Sequence, residues 1–431
     1  MKLAFVIARK PWYQLFGPII DAAMARGWDV ECWHDYSQPK DGLKGYQFPD
    51  ADALPEFVNG RPTVRPFRDR AELASWLADG RVDAVTSIRT PGLPFPEDTQ
   101  RRPILVELQH SIDTFVGQTP QSLLACDVVA TYSPWWQRWA EQHYAKYDLV
   151  SDRQAYSRDL ASHISCVGMP ALDAAKRIDP DDVRRRFQIP AGQPVVVLFP
   201  FPQGVGQSGF WPRRIFGEPS RLRQLAHVVT QGRFDYLKHV VRGWNDRQVV
   251  RAIRTFCDRN GAYLLVKSRM KTPIPGYVEA VADRCVYDES IYPSTILEVL
   301  SIASLSIGHF SSAVLESVAL NVPHVCIPFS ADDYFKDKEI DRRSGFTEFF
   351  TTTEGDAFQF GGVSSVLRVP DLLSTLAGQP LSDFAMDAEA RLRYMRKFLS
   401  HDDGNGAARV LQAIEQALAT RQTPSTTRAH A

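Results

Sequence analysis

Short apolar runs alternate with amphipathic stretches along most of the chain. Leu3–Ala8, Asp29–Trp33, Asp83–Ser87, Ile104–Leu108 and Val128–Tyr132 read as strands. Tyr13–Arg26, Ala71–Ala78 and Pro134–Tyr144 carry helical periodicity, and the first of these stops at Gly27. A second series follows, with strands at Val195–Phe199, Tyr263–Val266, Leu305–Ile307 and Val325–Pro328. Its helices lie at Arg247–Arg259, Thr295–Ala303 and Ala313–Leu320. Strand–helix alternation of this kind predicts an α/β protein whose parallel sheets are covered by helices on both faces.

The two series are separated by CVGMPALDAAKRIDPDDVRRRFQIPAGQP, residues 166–194, which has the Pro, Gly and charge content of a linker. At 431 residues the chain exceeds the usual size of one core. The expected organisation is two Rossmann-like doubly wound domains facing a central cleft. The first spans 1–170 and the second 185–400. A C-terminal helix at 401–420 is a candidate to cross back, and a polar tail at 421–431 is expected to be disordered.

Fifty basic and fifty acidic side chains cancel, so no global field favours nucleic acid or a membrane. The six cysteines form no C-x-x-C pair and lie near apolar runs, which fits reduced thiols and a cytoplasmic protein. The N-terminal apolar run meets Arg9 and Lys10 too soon for a signal peptide. No window reaches the roughly 18 apolar residues of a membrane span. Local charge is less even. Between Gln203 and Arg247 eight Lys and Arg residues face three acids, interleaved with aromatic residues, and the segment suits a phosphorylated ligand. It contains Arg213 and Arg214.

Candidate chemistry falls at strand ends, where open parallel sheets bind ligands. In LSIGHFSSAVLESVALNVPHVCIPF, residues 305–329, an apolar run ends at Gly308 and is followed by His309, Ser311 and Ser312. Either serine is a good N-cap, and the first-turn N–H groups favour an anion. Glu316 lies four residues after Ser312, one beyond capping-box spacing, where a carboxylate can accept from ribose hydroxyls. Against this stands the plain reading that the serines cap a helix and Glu316 is solvated. After the Tyr263–Val266 strand come Lys267 and Arg269, placed for phosphates. In the first half, PILVELQHSIDTF ends a strand in Glu107, His110 and Asp113, and a histidine just past a buried strand can act as a general base. GVGQSG matches the letters of a dinucleotide fingerprint at Gly204, Gly206 and Gly209, but without an adjoining strand and helix it carries little weight. No His, Asp or Glu cluster has metal spacing, so no metal and no cofactor is expected.

Several of these segments together resemble GT-B glycosyltransferases, nearest to the bacterial CDP-glycerol glycerophosphotransferase type and related capsule surface-carbohydrate transferases. CVGMPALDAAKR is similar to that group's V-G-x-P-x-x-D lead-in to the second domain. GHFSSAVLESVALNVPHVCIPF is similar to the segment in which paired serines begin a helix, with Gly308-His309 where the group often has Thr-Asp. SHDDGNGAARVLQAIEQAL is similar to its D-G-x-x-x-x-R-V helix, and LVELQHSIDTF to the strand whose terminal histidine is catalytic in many members. The resemblance covers most of residues 100–415 in order. It implies a nucleotide-activated sugar donor of CMP, CDP or UDP type, held mainly by the second domain. Ser311, Ser312, Lys267 and Arg269 would contact donor phosphates, Glu316 the ribose or donor, and His110 the acceptor. His309 would bond a phosphate in place of the missing acid. The acceptor would be a glycan or a lipid-linked molecule. An alditol-phosphate transferase or a UDP-sugar 2-epimerase on the same fold is an alternative, as is a non-catalytic nucleotide-sugar-binding scaffold. A cytoplasmic location, extending to the inner face of a membrane by peripheral association, is compatible with the basic segment.

Overall fold

A computed structural model describes residues 1–37, 54–88, 93–94, 102–110, 120–200, 215, 220–234, 237, 240, 246–268, 274, 276–287, 291–328 and 353–422. Two parallel sheets form the frame. The first contains β1 (Lys2–Ile7), β2 (Asp29–Asp35), β3 (Thr63–Phe67), β4 (Ala84–Ser87), β5 (Ile104–Leu108), β6 (Val128–Thr131) and β7 (Ile164–Cys166), in the order β3-β2-β1-β4-β5-β6-β7. The second contains β8 (Val195–Leu198), β9 (Tyr263–Lys267), β10 (Arg284–Val286), β11 (Leu305–His309), β12 (His324–Ile327) and β13 (Ser364–Val366), in the order β10-β9-β8-β11-β12-β13. In each sheet the chain starts centrally, winds out to one edge, and then returns to the other side of its first strand. That creates a switch point between β1 and β4 and another between β8 and β11.

Alternation within the apolar runs explains why they are continuous. Leu3, Phe5 and Ile7 enter one core cluster while Ala4 and Val6 enter the cluster on the opposite face. Val196 and Leu198 likewise part from Val195 and Val197. With both faces covered, most positions are apolar.

Seven helices matter below: α1 (Tyr13–Ala25), α2 (Pro134–Lys146), α3 (Arg221–Thr230), α4 (Thr295–Ser301), α5 (Ala313–Ala319), α6 (Ala388–Phe398) and α7 (Gly406–Gln422). Gly27, at φ 73°, takes the left-handed turn that ends α1. Late in the chain, α7 lays Ala407, Val410, Leu411 and Ile414 against α1 and the first sheet. Just before it, α6 packs Tyr394 and Phe398 into a cluster shared with Trp136 and Trp139 of α2 and Val314 and Val318 of α5. Trp136 Nε1 donates to Phe398 O at 2.9 Å, and Ser133 Oγ to Lys397 O at 2.6 Å. The six cysteines are all free.

Residues 166–194 are more ordered than a linker composition implies. They form a 3-10 helix at Pro170–Arg177 and an α-helix at Pro180–Arg186 that Asp179 caps through Asp181 N. The reason lies in contacts the sequence does not display. Asp173 accepts from Gly406 N at 3.1 Å and Ala407 N at 2.7 Å, so it caps the start of α7 across more than 230 positions.

Candidate functional site at two strand-end switch points

The run Leu305–Ile307 continues as strand to His309, two residues further than expected. His309 is therefore a buried strand residue, with Nδ1 3.0 Å from Ile327 O. A carbonyl only accepts, so Nδ1 carries the proton. Burial holds the ring at about 4, hence neutral near pH 7, and Nε2 is then an acceptor. In that state Nε2 has no hydrogen to offer a phosphate oxygen.

Beyond His309 the chain turns through Phe310 to Ser311 and Ser312, both half-buried, and enters α5. Ser311, not Ser312, makes the local cap, its Oγ accepting from Ala313 N at 3.3 Å. Ser312 occupies the N-cap position in helical geometry with no side-chain cap bond. Glu316 stands one turn in and is half-buried. Under the helix, Ser317 Oγ donates to Ala313 O at 2.7 Å, and Ser306 Oγ lies 3.0 Å from Ser317 Oγ and 2.9 Å from His324 Nδ1. Burial lowers His324 to about 3, so this layer is polar but uncharged. At the far end of α5, Arg391 of α6 donates to Val318 O at 3.0 Å and Ala319 O at 2.6 Å. A cation thus closes the negative end of α5, and α6 is itself tied to the first half through Trp136 and Ser133.

The pair of serines sits where β11 leaves the sheet, beside β8, at the second switch point. Lys267 is the buried last residue of β9, two strands from β11 or about 10 Å. Arg269, Arg213 and Arg214 lie outside the described residues, as do Gly204, Gly206, Gly209 and Asp113.

On the first sheet, His110 follows β5 and is exposed. Glu107 is different. It has no solvent exposure and lies in register with Ser87 and Val129. Its charge adds to burial in pushing the Cys126 thiol up. The carboxylate is thus enclosed at the level of β5, one residue before the strand ends.

Two of the motif segments meet elsewhere. Besides the Asp173 cap, Lys176 Nζ donates to Gly404 O at 2.7 Å, and Gly406 packs so tightly that a Cβ would stand 3.0 Å from Pro170 Cα. A cavity of about 180 Å³ opens here between Met169, Asp173, Met395 and His401. These residues build the crossover rather than a strand-end site. A second junction is centred on Asp21 of α1. Its Oδ1 accepts from Val58 N at 2.8 Å and Asn59 N at 3.0 Å. Its Oδ2 accepts from Tyr292 Oη at 2.8 Å and pairs with Arg177 at 3.3 Å. Sequence reading missed Asp21, Tyr292, Arg177, Asp173 and Arg391, since each has partners far along the chain.

Solved structures show the same frame. A histidine-to-asparagine variant of the wall teichoic acid polymerase TagF superposes with a TM-score of 0.55 at 11% identity, over 98% of this chain and 89% of that one. The chain has the GT-B fold. Unaltered TagF gives a TM-score of 0.52 at 12% identity, over 97% of this chain and 89% of that one. A protein assigned as a UDP-N-acetylglucosamine 2-epimerase from Listeria monocytogenes gives 0.51 at 12% identity, over 96% of both chains. No protein-family model and no curated protein matches the sequence. In GT-B terms, the seven-stranded sheet belongs to the first domain and the six-stranded sheet to the second. Among the described residues, no three His, Cys, Asp or Glu side chains are grouped to hold a metal ion. No described helix is long and apolar enough to cross a membrane.

Proposed function

We propose that this GT-B protein transfers a sugar from a nucleotide-activated donor to a surface-polysaccharide or related acceptor. One observation carries the reading: Ser311 and Ser312 come one residue after β11 at the second switch point, with Lys267 two strands away. Two hydroxyls and a cation are donors that suit a diphosphate leaving group. In the transfer, the acceptor hydroxyl oxygen bonds to the anomeric carbon as the bond from that carbon to the phosphate oxygen breaks. The electron pair leaves with the nucleotide, whose growing charge those preorganised donors stabilise. In an inverting reaction His110 takes the proton of the acceptor hydroxyl, and Glu316 accepts from the ribose or the donor. Arg269, Arg213, Arg214 and Asp113 remain candidates for phosphate and acceptor contacts.

A thermal-shift series with CMP, CDP, UDP, GDP and ADP tests the site. At about a hundred times its dissociation constant the fitting nucleotide adds about 2.7 kcal/mol. The shift is expected to shrink in a Ser311→Ala/Ser312→Ala double variant. A full shift in that variant, or no shift with any nucleotide, refutes the assignment. The second reading, 2-epimerisation of a UDP-sugar, is supported by the end-to-end match to the Listeria structure. Turnover of a sugar nucleotide with no acceptor present would favour it, whereas binding without turnover on any acceptor would favour a scaffold.

A further inference from the structure

The first sheet has cations at its own switch point. β1 ends at Ile7, and Arg9 and Lys10 follow it into a 3-10 helix at Lys10–Trp12 that leads to α1. Arg9 is exposed and Lys10 half-buried, and neither side chain has a hydrogen-bond or ion-pair partner among the described residues. Asp21, the first acid in the sequence, is taken up by Tyr292 and Arg177. Asp35, at the end of the adjacent β2, accepts from Ser37 N at 2.8 Å. Register relates the two cations to His110. Phe5 lies opposite Thr86, and Thr86 opposite Val106, so β1, β4 and β5 run level. Four residues beyond Phe5 comes Arg9, still extended at φ -149° and ψ 144°, and four beyond Val106 comes His110. The two stand at about the same height past the strand ends, two strands apart or about 10 Å.

A guanidinium and an ammonium without internal partners, set at a strand-end crevice, suit an oxyanion. The first offers paired N–H donors and the second a point charge. We infer that Arg9 and Lys10 form an anion subsite beside His110, so that the acceptor carries a phosphate or carboxylate about one sugar unit from the hydroxyl that reacts. The inference rests on the acceptor role proposed for His110. It leaves the donor to the other sheet, where Ser311, Ser312 and Lys267 lie. Holding the anion fixes which way the acceptor lies, and so which of its hydroxyls is presented to His110.

Ligand-observed NMR titration of the full chain with glucose 1-phosphate, glucuronic acid and glucose tests it, with the donor site filled by the nucleotide that gives the largest thermal shift. At least one anionic sugar is expected to bind at least about tenfold tighter than glucose, and to weaken as salt rises. A stronger glucose 1-phosphate signal names a phosphate as the source of the anion, and a stronger glucuronic acid signal a carboxylate. Arg9→Gln/Lys10→Gln should abolish the advantage, while the charge-preserving Arg9→Lys/Lys10→Arg keeps most of it. Arg158→Gln, which removes an exposed arginine from the helix Arg153–His163, should leave it intact. The urea midpoint and the nucleotide shift are expected to match the parent in all three. Equal binding of the three sugars overturns the inference, as does equal binding by Arg9→Gln/Lys10→Gln and the parent, or an equal loss in Arg158→Gln. Loss of the advantage in Ser311→Ala/Ser312→Ala instead would put the anion in the donor site and overturn it too. A nucleotide shift that survives any of these results leaves the donor assignment standing. If no nucleotide shifts the protein, the donor assignment fails, and the same titration without nucleotide still decides the subsite.

Discussion

Replacing Gly17 by alanine should destabilise the protein, although the same change in most helices does the opposite. Gly17 lies in α1, and an added Cβ would stand 2.5 Å from Tyr292 Cδ2 and 2.6 Å from Cγ. Carbon atoms in contact prefer about 3.5–4.0 Å, so the ring or the helix must retreat by about 1 Å. The ring has little room. Arg177 lies over it at 4.6 Å, Phe57 packs at 5.6 Å, and its hydroxyl is bonded to Asp21. Helix propensity favours alanine by about 0.5–1 kcal/mol. Overpacking costs about 1–3 kcal/mol, and a ring that swings away gives up a hydrogen bond to a carboxylate worth about 1.5–3 kcal/mol. The clash wins, with an expected net loss of about 1–4 kcal/mol. The assay is a urea midpoint followed by tryptophan fluorescence, in the parent and in a Tyr292→Ala background. Gly17→Ala should lower the midpoint in the first and leave it level or raise it in the second, a coupling that double-mutant cycles resolve. A raised midpoint in the parent, or the same loss in both backgrounds, would refute the reasoning. Because Gly17 precedes β2 and Tyr292 follows β10, the cycle measures how firmly the two halves hold each other.

Three further outcomes are expected. His110→Ala should lower turnover by about 10²–10⁴-fold while the nucleotide thermal shift survives, and near-normal turnover removes His110 from the chemistry. Arg391→Met should keep the packing of the side-chain stem but lose both carbonyl contacts of α5, at about 1–2 kcal/mol in the urea midpoint, with a weakened nucleotide shift. Acid should weaken the fold through His309 and His324. Both are held neutral by burial, at about 4 and about 3, whereas the ordinary value is 6.5. The unfolded chain therefore binds the extra protons. Their contribution is whole above 6.5 and is lost as pH falls toward 4 and then 3. Urea midpoints between about pH 7 and about pH 4.5 should show the slope, and His324→Gln should make it shallower.

The inner strands of both sheets were legible in the sequence because burial on both faces leaves mostly apolar positions. The strands it did not show are β3, β7, β10 and β13, which are the four edges. An edge strand pairs on one side and needs less apolar length, so β3 carries Arg65 and Pro66 and the other three are only three residues long. Among site residues, the positions of Ser311, Ser312 and His110 at strand ends followed from where apolar runs stop. The burial of His309 did not, because one glycine hides whether a strand has ended. Nor did the full enclosure of Glu107, because a charge inside β5 shows its burial only once its neighbours on the covering elements are known.

The crossing of α7 has a consequence for synthesis. The floor beneath β1, β5 and β6 is finished by Val410, Leu411 and Ile414, which leave the ribosome long after those strands. A nascent first half must therefore wait with an uncovered greasy surface until α7 has emerged. Chaperone occupancy during translation, rather than the stability of the finished protein, is where that arrangement exacts its toll.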